Sequence, residues 1–328
     1  MARSITVGVV LLAIALMLFC VSISVGDFPV PLRQVVPAIF GSGPDRVPYI
    51  VQTLRLPRAL TALLVGGALG LSGSIFQSLA RNPLASPDII GISAGASASA
   101  VFVIVVLSGG GAMVTGGALV GAFATATVIY FVAYRNGLTA YRLVLVGIGV
   151  SAMLTAVTNY LMTRAEIYDA QRATVWLTGS LNGRGWEHVR PIALAMAVLV
   201  PAVLILARGL RALQLGDDAA KGLGIRVEPT RAALIAVAVA LAAVAVASAG
   251  PITFVAFVAA PIARRLVRSP LTIVPSALLG AVVLLASDLI ARRLFVPTEL
   301  PVGVITGIVG APYLLWLLAR SNRTGRGG

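Results

Sequence analysis

The sequence predicts an all-α integral membrane protein, and three observations carry that prediction. Only 11% of its 328 residues are charged against 59% hydrophobic, too few charges to cover a water-exposed surface. A mean hydropathy of +0.99 makes lipid the solvent. The apolar residues fall in long runs, and inside lipid each run must satisfy its own backbone N–H and C=O groups, as a helix does.

A run needs about 17–25 mostly apolar residues to cross roughly 30 Å of hydrocarbon. The first, residues 5–25, follows Arg3 but is longer than a signal-peptide core and no small-residue cleavage site follows it, so it reads as a span. Cys20 lies inside it as the only cysteine, which excludes an internal disulfide, and bulky Phe19 before it argues against a lipoprotein. The second run, 60–80, places Gly66, Gly70 and Ser74 on one face, a small-xxx-small spacing that lets backbones approach. The following loop breaks the helix at Asn82-Pro83 and again at Ser86-Pro87, with Asp88 near the positive end of the next helix.

The third run, 89–107, carries Gly91, Gly95 and Ser99 on one face, and the fourth, 112–133, carries Gly117 and Gly121. Runs at 143–163, 191–207, 232–249, 273–290 and 302–318 follow, the last with Gly303 and Gly307 at i, i+4. A shorter apolar piece, 252–266, is framed by Pro251, Pro261 and the Arg264–Arg265 pair, and reads as a short crossing or a re-entrant segment. Counting it gives ten spans, an even number that puts both termini on one side. No linker or soluble appendage interrupts residues 1–328, so one transmembrane domain covers the chain, with its longest polar connector at about 208–231.

The formal net charge is +14, and of 25 basic residues only Lys221 is lysine. The arginines sit at the ends of apolar runs, where they anchor helices and set topology rather than bind nucleic acid. An inside N-terminus puts 15 basic residues in the cytoplasm and 10 outside, a modest bias toward that orientation. Ten outward arginines, including Arg55, Arg58, Arg292 and Arg293, are more than anchoring requires.

Several chemistries have no residues to carry them. The one lysine follows Ala220, so no Gly-Lys pair exists for a phosphate-cradling P-loop, and the single histidine, His188, excludes an H-E-x-x-H zinc site. Only Asp288 lies clearly inside an apolar run. A carboxylate there is a functional candidate by default, and Arg292 at i+4 offers a pairing partner as the bland alternative. Within the 208–231 connector, Gly216 and the Asp217–Asp218 pair start a short helix that Gly222 and Gly224 stop, either a solvated connector or an element shaped to dock into a cytoplasmic partner.

Five separated stretches together resemble one family. They are Arg55-Leu-Pro-Arg58, the run Gln77…Asn82-Pro83-Leu84-Ala85-Ser86-Pro87…Gly91…Gly95, the connector 217–224, Gly250-Pro-Ile-Thr-Phe-Val, and residues 299–313. The chain is similar to FecCD-type permeases, the membrane subunits of ABC importers for ferric siderophores, haem and cobalamin. The resemblance implies a ten-span bundle of the type II ABC importer permease kind in a bacterial cytoplasmic (inner) membrane, with both termini cytoplasmic. It implies partners: a second permease, with a homologous heterodimer favoured over a homodimer, two P-loop ATPase subunits and an extracytoplasmic substrate-binding protein. It implies no cofactor in this chain, ATP and Mg being held by the ATPases.

By position, the resemblance makes Arg55, Arg58 and Arg292 binding-protein docking residues. It makes Asp217, Asp218, Ala219, Ala220, Lys221, Gly222 and Gly224 the ATPase-coupling element, and Asn136, Gly137 and Leu138 the cytoplasmic gate region. The segment Trp176…Trp186 resembles the siderophore branch more than the cobalamin branch. A stand-alone secondary transporter is disfavoured by the scarcity of intramembrane ionisable groups, and an intramembrane enzyme by the lack of nucleophile or metal constellations.

Overall fold

The computed structural model describes residues 2–26, 28–44, 46–135, 137, 139–295 and 298–324, and every regular element among them is helical. In chain order these are α1 (Ala2–Ser24), α2 (Leu32–Ile39), α3 (Val47–Tyr49), a π-helical turn (Ile50–Arg55), α4 (Leu56–Ala80), α5 (Pro87–Ile90), α6 (Ile92–Val105) and α7 (Gly111–Ala133). Then follow α8 (Ala140–Arg164), α9 (Ile167–Leu177), α10 (Trp186–Gln214), α11 (Asp217–Gly222), α12 (Val227–Ala249), α13 (Val255–Val267), α14 (Ile273–Arg293) and α15 (Val302–Thr324).

Seven of the described helical stretches are long and apolar enough to cross a bilayer, and α6 and residues 302–317 of α15 are shorter apolar helices. At about 1.5 Å per residue, the 13 residues of α13 rise only ~20 Å. The non-helical residues 250–254 before it can cover the remaining depth, consistent with a tenth, partly unwound crossing.

The centre of the bundle is α4, which packs against α14, α12, α13 and α10. Lipid offers no hydrophobic drive for helix association, so these contacts rest on backbone approach. A Cβ added at Gly66, Gly70 or Gly73 would run into the backbone carbonyl of Gly280, Ser276 or Ala256, respectively. Gly95 and Gly121 bring α6 and α7 together in the same way, whereas Gly307 faces open space and makes no such contact.

Three departures from the hydropathy reading have local causes. The run 89–107 is broken at Gly91, whose φ of +96° ends α5 and starts α6 at an angle. The second span is longer than its apolar run because helix continues from Val47 to Ala80 through the π turn. Pro57 cannot donate to residue 53, and a widened turn just before a proline accommodates that loss. Finally, α2 and α9 are helices without an apolar run of spanning length, so hydropathy does not reveal them.

Candidate functional site

At one end of the bundle the final turns of α14 carry Asp288 and Arg292, and the first turn of α4 carries Arg58. Asp288 is fully buried. Its Oδ1 accepts from Arg58 Nε and Nη2 at 3.1 and 2.9 Å, and its Oδ2 lies 3.2 Å from Arg292 Nη2. The i+4 pairing with Arg292 is therefore present, and Arg58 adds a second cation from a residue 230 positions away. Arg58 Nη1 also donates to Glu299 Oε2 at 3.0 Å, and the Glu299 side chain is 40% exposed.

The other arginines here hold the end of α1, whose last carbonyls have no intrahelical donors. Arg292 Nη2 donates to Ser22 Oγ at 2.6 Å, and Arg55 Nη1 donates to the carbonyl oxygens of Ile23 at 2.8 Å and Ser24 at 3.2 Å. Arg55 Nη2 reaches the Phe28 carbonyl at 2.6 Å, and Arg293 Nη2 the Gly26 carbonyl at 2.8 Å. Cations at a helix C-terminus also complement its dipole. The structure thus engages Arg55, Arg58 and Arg292 inside the chain, and gives Arg293 a role that the sequence alone did not suggest. Part of the arginine surplus expected on the outside serves helix capping.

Deeper in the bundle, stretches that are far apart in sequence meet where helices are interrupted. The Ser180 N–H donates to the Ala249 carbonyl at 2.8 Å, and the Gly303 N–H donates to the Gly179 carbonyl at 3.1 Å. Gly250 (φ +78°) lies so close to the Trp176 carbonyl and to Gly179 that a side chain there has no room. Phe254, just before α13, adopts a left-handed φ of +67°, a conformation costing a non-glycine residue roughly 1–2 kcal/mol. Gly310 of α15 leaves the space its ring occupies. Parts of three motif regions quoted above thus meet at one junction, where the non-helical residues around 179 and at 250–254 pack against the first turns of α15. Non-helical backbone at membrane depth is tolerated where protein or a cavity covers it.

The motif loop Asn82–Asp88 is built for turning. Arg81 takes a left-handed φ of +48°, Asn82 Oδ1 accepts from the Leu84 N–H at 2.9 Å, and Ser86 Oγ caps α5 by accepting from the Ile89 N–H. Asp88 Oδ1 accepts from Ser93 Oγ at 2.5 Å. Asp88 also lines an open cavity with Ser151, Thr155 and Asn159 of α8. Those three polar residues recur at i, i+4 and i+8 on a helix that is mostly exposed, a stripe legible in the sequence but not read from it.

At the opposite end, α11 matches the short helix expected there, starting after Gly216 (φ +116°) and stopping before Gly224 (φ +79°). Buried Ala220 anchors it, while Asp217, Asp218, Ala219, Lys221 and Gly222 are exposed. Arg231 of α12 joins Asp217 at 2.7 Å to Glu228 at 3.1 Å, and Lys221 stands 3.5 Å from Asp218. Of the expected gate region, Asn136 and Leu138 lie outside the described residues. Gly137 (φ +105°) is held by Arg142, which donates to the Arg135 and Gly137 carbonyls at 2.9 Å each. A Cβ built at Gly137 would meet Glu228 Oε1 at 3.4 Å, so the carboxylate that pairs with Arg231 stands near the α7–α8 turn without bonding to it.

Comparison with known proteins identifies the family. A family model described as the FecCD transport family matches residues 12–320. The ferric enterobactin transport system permease protein FepG of Escherichia coli (strain K12) is 42% identical over 301 residues, 91% of this chain and 91% of that protein. The achromobactin transport system permease protein CbrC of Dickeya dadantii (strain 3937) is 41% identical over 323 residues, 97% of this chain and 93% of that protein. A solved metal-chelate type ABC transporter in an inward-facing conformation superposes with a TM-score of 0.83 at 27% identity, covering 96% of this chain and 99% of that one.

Proposed function

This chain belongs to the FecCD transport family and is a permease subunit of an ABC importer, and from that premise we propose that it carries a ferric siderophore across the cytoplasmic membrane. Support for the substrate class comes from the two relatives above, whose names specify enterobactin and achromobactin transport. Energy enters from separate P-loop ATPases, which bind ATP and Mg, because this chain has no Gly-Lys pair with which to cradle phosphate.

The observation that carries the reading is α11. A six-residue polar helix, fixed through Ala220 and Arg231 but showing Asp218, Lys221 and Gly222 outward, is flanked by exposed Leu215 and Leu223. Exposed leucines on either side of a polar helix fit a surface that a partner covers. In this reading Asp217–Gly224 is the ATPase-coupling element, and the turn around Gly137 is part of the gate it moves. Two contacts support placing both termini on that side. Arg3 Nε donates to the Leu266 carbonyl at 2.9 Å, and the Arg265 guanidinium lies 4.4 Å from the Trp316 ring centroid.

The opposite face, carrying Arg55, Arg58 and Arg292, receives the substrate-binding protein. All three guanidiniums already have partners in the chain, so carboxylates of the binding protein compete for them. Arg58 is best placed for exchange, since its Glu299 partner is the exposed one. The detergent-solubilised complex is expected to hold two permease chains, of different sequence, with two P-loop ATPases. It should retain the binding protein at low ionic strength and release it as salt rises. A transport-competent particle with one permease chain in total would contradict the pairing, and salt-indifferent retention would contradict the docking face.

A further inference from the structure

A cavity of about 730 Å³ opens between the C-terminal ends of α4 and α10, the residues after α11 and the end of α13. Arg81, Arg208, Arg211 and Arg264 line it, and among the described residues no carboxylate does. The acids on this side are engaged elsewhere: Asp217 and Glu228 hold Arg231, and Asp218 faces Lys221. None of the four arginines forms an ion pair among the described residues. Arg81 Nη2 donates to the Leu213 carbonyl at 2.7 Å, and Arg264 Nη2 donates to Ser78 Oγ at 3.2 Å. The Nε of Arg264 is buried without any partner.

Topology accounts for exposed arginines such as Arg208 and Arg211. It does not account for a guanidinium drawn into the protein with an unsatisfied N–H and three further cations around the same space. Arg264 is part-buried with one buried, unpartnered N–H and no counter-charge, and arginine forks match phosphate oxygens in geometry as well as in charge. Leu215 and Leu223, the leucines that flank α11, border the cavity on its outer side. We propose that this arginine-lined cavity is a binding site for a phosphate-class anion, taken from an anionic phospholipid headgroup or from free phosphate.

The two sources separate in one experiment on the full chain purified in detergent. In one arm, native mass spectrometry compares retention of phosphatidylglycerol and phosphatidylcholine offered in equal amounts. In the other, lipid-free protein is titrated with inorganic phosphate and followed by ³¹P NMR line broadening. Preferential retention of phosphatidylglycerol identifies a headgroup site, and phosphate broadening without lipid preference identifies a free-anion site. R208Q/R211Q should weaken headgroup binding roughly thirtyfold, about fivefold for each basic residue removed near an anionic lipid surface, and should weaken free-phosphate binding as well. R264Q should weaken binding as well, while R33Q, at an exposed position of α2, should leave it unchanged. No preference in either arm, or equal loss in R33Q, overturns the proposal. So does a result in which R208Q/R211Q sheds a co-purifying ATPase while phosphate and lipid binding are untouched, because the cavity then belongs to that protein interface.

Discussion

Replacing Asp288 with alanine is expected to destabilise the protein by about 3–5 kcal/mol, the usual cost of removing one partner from a buried ionic group. The carboxylate has no exposure, and the Arg58 and Arg292 side chains it neutralises are only 14% and 9% exposed. Without it the two cations are left close together with little solvent to screen them. Arg58 retains Glu299, but that contact is at the surface and offsets little. A drop on the order of 10 °C in the thermal midpoint, followed by size-exclusion of the heated detergent extract, is the expected reading. The triple change Arg58→Met, Asp288→Leu and Arg292→Met should recover much of the loss, because well-packed apolar residues often replace a buried ionic cluster at no net cost. A wild-type midpoint for Asp288→Ala would show that the cluster does not hold α4, α14 and the end of α1 together.

The second large effect is on coupling. Gly222→Val places a β-branched side chain on the exposed end of α11, where a new Cβ meets nothing within 4 Å. The lone chain has no steric reason to misfold, so any defect belongs to the surface that α11 offers a partner. Uptake should fall by about tenfold or more, equivalent to ~1.4 kcal/mol of lost coupling, while ATP hydrolysis by the complex continues. Arg231→Gln should act in the same direction, since it removes the guanidinium that ties Asp217 of α11 to Glu228 of α12. Normal import by Gly222→Val would reduce α11 to a connector.

The spans and α11 were legible in the sequence because each rests on a local constraint. A crossing needs an unbroken apolar run, and a polar helix between two runs stands out by composition. Asp288 with Arg292 was legible for the same reason, at i+4 on one helix. Arg58 and Glu299 completing that cluster was not, because only tertiary packing brings them to residue 288. The break at Gly91 was hidden inside an apolar run, since hydropathy does not register φ. The junction of Gly179, Gly250 and Gly303 was visible only as separate motifs, whose backbone hydrogen bonds appear once the interrupted helices are brought together. Arg55, Arg292 and Arg293 read as surplus outward charge because an unsatisfied helix end at Ser22–Ser24 leaves no mark on composition.

Proteoliposomes containing this chain, its partner permease and the ATPase subunits, given binding protein loaded with a ⁵⁵Fe-labelled siderophore, provide the most direct measurement. Label is expected to accumulate inside only when ATP and Mg are supplied to the side bearing α11, and accumulation should stop when the ATPases are omitted. Uptake by this chain alone, or uptake driven by an ion gradient without ATP, would contradict an ATP-driven permease subunit.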